Sequence, residues 1–128
     1  MTMNSLLLTG GVGIAGALGA VTRYLLGRFI AEQSGSQIPW GTFIINITGS
    51  FLIGLVFALT ARNFISPALQ SMLATGFLGG YTTFSTMNWE GFQLARGGSS
   101  VQCFLYLGGS FVFGLVAEVL GMTIGRGL

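Results

Sequence analysis

Apolar residues fall along this chain in four long blocks separated by short polar breaks. The blocks run from about Asn4 to Leu26, Trp40 to Ala61, Pro67 to Leu94 and Val101 to Ile124. A helix needs about 20 mostly apolar residues to cross the hydrocarbon core of a bilayer, and each block reaches that length. The breaks combine charge with turn formers. Glu32 to Pro39 is polar and closes on proline, Arg62 to Pro67 holds Arg, Asn, Ser and Pro, and Arg96 to Ser100 reads Arg-Gly-Gly-Ser-Ser. The pattern predicts an all-α membrane protein: one transmembrane domain over residues 1–128, with helices at approximately 4–26, 40–61, 67–94 and 101–124. A transmembrane barrel also satisfies its backbone in lipid, but it needs strands of about ten alternating residues. The runs here are longer and do not alternate. Spans and loops account for the whole chain, so no soluble catalytic domain is expected, and no enzyme.

Composition sharpens this reading. Charged residues make up 6% of the chain and hydrophobic ones 52%, against about 25% charged in an ordinary soluble domain. Such a chain cannot cover a water-facing surface, and lipid is its expected solvent. The net charge of +2 is carried by arginines alone, too sparse for the basic stripe that nucleic acid requires. With no His and one Cys, an intramolecular disulfide and a Cys/His metal cluster are both excluded; Cys103 reads as a small apolar residue. Met1 to Ser5 carries no basic residue, which argues against a cleaved leader and for a retained first span.

Orientation follows the Lys/Arg imbalance between loops on the two sides. Four spans put Arg28 and Arg96 on one side and Arg62 and Arg126 on the other, with Arg23 near the end of the first span. So even a balance allows insertion in both orientations, with two copies pairing as an antiparallel dimer. It equally allows a single, weakly biased orientation.

The 22 glycines suit close helix packing in lipid, where small residues let backbones approach. Gly11 to Gly16 formally matches GxGxxG, but that motif binds dinucleotides only between a strand and a helix; here it lies inside an apolar span. Asn46-Ile47-Thr48 matches a glycosylation sequon at a depth where none could be modified.

Polar groups at membrane depth mark pathways or packing contacts. Asn46 stands in the second span with Thr42, Thr48 and Ser50. It offers uncharged donors, either to a pathway or to a neighbouring helix. The third span holds the densest cluster, Gly76 to Thr86. That span is longer than a bilayer requires, and a break at Gly79 and Gly80 would absorb the surplus. Unwound backbone is tolerated there only against protein or water, and its carbonyls can hold a cation. Tyr106 and Ser110 lie four apart on the fourth span. Glu90 and Glu118 are read as lying toward span ends, which leaves no carboxylate for the relay that proton-coupled exchange usually needs.

Three segments together resemble one family. Gly16-Ala17-Leu18-Gly19-Ala20-Val21-Thr22-Arg23-Tyr24, Gly41 to Phe51, and Gly76 to Thr86 with its Gly-Gly-x-Thr-Thr-Phe-Ser-Thr run are similar to signatures of the Fluc (CrcB) fluoride channels, in order and over essentially the whole chain. The resemblance implies a fluoride-selective channel in the bacterial inner membrane, exporting fluoride from the cytoplasm by passive electrodiffusion. It implies a dual-topology antiparallel homodimer with a structural sodium ion at its centre, held by backbone carbonyls of Gly79 and Thr82. It implies a pore lined by Asn46, Phe84, Thr83, Ser85, Tyr106 and Ser110, with Met87 where the family carries a second phenylalanine. Arg23 corresponds to an electropositive vestibule residue. Gly114 stands where a further hydroxyl is expected. The main alternative is a small multidrug-resistance-type proton-coupled exporter, which would need a carboxylate embedded in the first span. A non-transporting packing subunit would not need the hydroxyls of Thr82 to Thr86.

Overall fold

The computed structural model describes residues 1–128 and is helical throughout, without a strand. Thr2 starts α1 (Met3–Ser34): its hydroxyl accepts the Ser5 N–H at 3.1 Å, satisfying a donor left free at the helix start. The helix continues past Leu26, where the apolar block ends. Its last turns carry the exposed pair Arg28–Glu32, four apart at 3.2 Å, and Gly35 at φ 58° closes it. Hydropathy marks where lipid ends; hydrogen bonding carries the helix further. Then follow α2 (Trp40–Ala61) and, after the broken third span, α5 (Ser100–Gly127). The helices α1, α2 and α5 are each long and apolar enough to cross a membrane.

The third span is built in pieces. Ser66 accepts the Leu69 N–H at 3.2 Å, and Pro67 takes the first helical position, where its missing N–H costs nothing. The segment α3 covers 67–81: one α turn, a π-helical stretch Ser71–Leu78, then an α turn Gly79–Tyr81. After Thr82 to Phe84 the chain resumes as α4 (Ser85–Arg96). The break therefore falls just beyond the expected Gly79 and Gly80; Gly79 keeps helical angles, φ −63° and ψ −36°. Gly80 serves contact rather than unwinding. A Cβ there would strike the Gly16 carbonyl of α1, and one at Gly19 would strike the Phe77 carbonyl. The same close approach joins α2 to α5, the most extensive helix pair, where Gly121 meets the Phe51 carbonyl and Gly54 that of Glu118.

Few side chains are enclosed. Ile45, Ala74, Leu78 and Tyr81 form the centre of the buried cluster, while Phe104 and Phe111 are 77% and 73% exposed. A surface of this kind is stable against acyl chains, not water.

Candidate functional site

The break is held open from α2. Asn46 Nδ2 donates to the Thr83 carbonyl at 2.9 Å, and its Oδ1 accepts the Thr83 N–H at 2.8 Å. In an unbroken α-helix that N–H would reach the Gly79 carbonyl four residues back. A second diversion follows one turn on: the Thr83 hydroxyl accepts the Thr86 N–H at 3.2 Å, capping α4 and taking the donor that would otherwise serve Thr82. The carbonyls of Gly79 and Thr82 thus have no donor within the chain. Gly80, whose helical donor is also lost, is compensated: Arg23 Nε reaches its carbonyl at 3.1 Å.

A groove of about 310 Å³ opens onto this break. Asn46, Gly79, Thr82, Thr83, Phe84 and Met87 all line it, so six of the residues singled out from sequence share one wall. Ser50 and Glu118 also line the groove. The Phe84 ring is 74% exposed, projecting from the break with nothing packed over it. Ser85 opens α4 and is exposed; it stands outside the groove wall.

Tyr106 and Ser110 are placed differently. Both are buried on α5. The Tyr106 hydroxyl donates to Glu90 Oε2 at 3.2 Å, and Thr42 donates to Glu90 Oε1 at 2.7 Å. The Ser110 hydroxyl is enclosed and has no partner. A second cavity, of about 400 Å³, has Arg23, Arg28, Thr42, Thr83 and Glu90 in its wall. Thr83 belongs to both cavities, so the two meet at the residue that Asn46 clamps.

Comparison with known proteins supplies the lineage. Residues 11–122 match the family described as CrcB-like protein, Camphor Resistance (CrcB). The chain belongs to the CrcB family. Among curated CrcB-type relatives, a fluoride-specific ion channel of Acidobacterium capsulatum is 46% identical over 116 residues, covering 90% of this chain and 93% of the relative. One from Chloroflexus aurantiacus is 41% identical over 125 residues, covering 97% of each. Another, from Clostridium acetobutylicum, is 40% identical over 115 residues, covering 90% and 95%. These relatives are named as channels, not enzymes. With its long apolar helices, this CrcB chain is a multi-pass membrane protein, consistent with a bacterial inner membrane.

Two features of this CrcB chain escaped the reading of its sequence. Glu90 looked like a residue near a span end, yet it bridges α2 and α5 through two hydroxyls. The signal was available: Glu90 lies four residues after Thr86 on α4, which puts the two on one helix face, and both line the second cavity. Glu118, also read as terminal, lines the central groove.

Proposed function

We propose that this CrcB chain is a fluoride-selective channel, exporting fluoride from the cytoplasm by passive electrodiffusion. The observation that carries the reading is the Asn46-clamped break, which opens onto a groove whose wall holds neutral donors and the bare ring of Phe84. A pore for fluoride must replace strongly held water. After its two bonds to Thr83, the Asn46 amide keeps one N–H to offer. Thr83 adds a hydroxyl, while the buried Ser110 and Tyr106 extend the polar track on α5. Ser85, exposed beside Phe84, is accessible to a pathway once a second surface covers it. An aromatic ring has a positive edge, so an anion meets Phe84 edge-on, and Met87 fills the space beyond it. Several weak sites let an ion leave as readily as it enters. Arg23 adds positive charge where the second cavity approaches the break. Neutral HF enters cells and dissociates inside; a negative-inside potential then drives fluoride back out.

The working unit in this proposal is an antiparallel homodimer assembled from both insertion orientations. The balanced loop arginines and the uncovered Phe84 support it. A structural sodium ion sits between the copies, held by the Gly79 and Thr82 carbonyls. The residues suit that ion: unwound carbonyls and the C-terminal ends of half-helices are established ligands for Na⁺ in membrane proteins; Thr82 supplies the first kind and Gly79 the second, and neither carbonyl has a donor. One chain offers two such oxygens, and a symmetric pair doubles them. Such a cation gives favourable potential to an anion passing nearby.

Purified protein in liposomes tests the channel. Fluoride efflux is expected to be electrogenic and far faster than chloride efflux. Strict proton coupling with no fluoride current would instead favour the multidrug-type exporter, for which α1 offers only Glu32, exposed and paired with Arg28.

A further inference from the structure

Glu118 is the only acidic residue on the wall of the central groove. It lies on α5 roughly 14 Å of helix before the end at Gly127, and its backbone packs against Gly54 inside α2. A carboxylate at membrane depth requires a partner. None of the arginines of this chain supplies one. Arg28 pairs with Glu32. Arg23 is engaged by the Gly80 carbonyl, Arg62 by the Gly125 carbonyl and Arg96 by Gln93. Arg126, further along α5, makes no ion pair with it. Left bare, the carboxylate would repel any anion in a groove otherwise built from neutral donors. Gly79 and Thr82, whose carbonyls have lost their donors, line the same groove, as does Ser50. One bound cation answers both deficits, a charge without a counter-ion and oxygens without a donor.

We infer that Glu118 is the countercharge of the groove's cation, drawing a hard monovalent ion such as Na⁺ to the Gly79 and Thr82 carbonyls. This rests on the sodium reading above and adds a side chain to a site otherwise made of backbone. Neutralised in this way, Glu118 no longer opposes an anion moving along the groove.

The test is the thermal unfolding of the purified protein as NaCl is raised, with N-methylglucamine chloride holding ionic strength constant. Wild-type protein is expected to gain stability as Na⁺ rises. Glu118→Gln, nearly isosteric, is expected to need roughly tenfold more Na⁺ for the same gain, the effect of removing one unit charge from the wall of the cation's groove. Glu118→Asp keeps the charge and is expected to fall between the two. A Glu118→Gln titration that superimposes on wild type overturns the inference and leaves the carbonyl site standing. A wild-type protein indifferent to Na⁺ overturns the sodium reading, and this inference with it.

Discussion

Replacing Asn46 by Leu is the most informative perturbation of the break. Leucine has the same branching of heavy atoms, with bulkier ends, but removes both bonds to Thr83, at 2.9 and 2.8 Å. Interhelical hydrogen bonds in membrane proteins average about 0.6 kcal/mol and reach about 1.7. Two of them therefore hold the open break by roughly 1–3 kcal/mol, or about five- to 150-fold in population. The released Thr83 N–H has an acceptor waiting, the Gly79 carbonyl one turn back, which itself has no donor. Losing Asn46 thus lets the helix close over the break and consumes one carbonyl proposed for sodium. The Asn46→Leu protein is expected to assemble, to lose fluoride throughput by at least the lower of those factors, and to lose sodium-dependent stability in parallel. Fluoride efflux from liposomes, read with an ion-selective electrode, gives the first quantity; thermal unfolding against Na⁺ gives the second. Faster amide exchange at Thr83 would mark an opened clamp, slower exchange a closed helix. An Asn46→Leu protein with wild-type flux and wild-type sodium response would refute the argument that this side chain maintains the break.

Further outcomes are expected elsewhere. Phe84→Ile removes the ring edge but keeps an apolar side chain on an exposed position; fluoride flux is expected to fall with dimer yield in size-exclusion chromatography unchanged. Gly80→Val drives a branched side chain into the Gly16 carbonyl, and overpacking of this kind costs about 1–3 kcal/mol or more, so lower thermal stability is expected, whereas Gly13→Ala, facing open space, is expected to leave stability unchanged. Asn46→Asp keeps the acceptor for the Thr83 N–H but sets a carboxylate oxygen against the Thr83 carbonyl; impaired flux with retained assembly is expected. Reporter tags on the C-terminus are expected on both membrane faces, and tags confined to one face would end the dual-topology proposal.

Much of the architecture was legible because lipid imposes a simple rule, long apolar runs interrupted by charge and turn formers. The ends of the runs were less so. Hydropathy stopped α1 at Leu26, whereas the Arg28–Glu32 pair and the Gly35 cap carry it on to Ser34. Surplus length and polarity exposed the break in the third span, but glycine content misplaced it. Gly79 and Gly80 looked like the weak point on backbone entropy alone. What breaks the helix is a competition for the Thr83 N–H, won by a side chain on another helix, and such a contact has no local signature. The same limit hid Glu90 and Glu118. Distance from a span end can be counted along the chain, but which helix a carboxylate faces depends on how the helices are turned.

The contacts between α1 and α3, and between α2 and α5, place glycine directly against carbonyl oxygen. Joints of this kind have no side chain to swing aside, so one backbone cannot creep along another by exchanging rotamers. Packed interiors yield in discrete jumps rather than by gradual deformation. The frame therefore behaves as a fixed mount. Whatever opens or shuts in this molecule has to do so outside those joints, where the uncovered ring of Phe84 is free to turn.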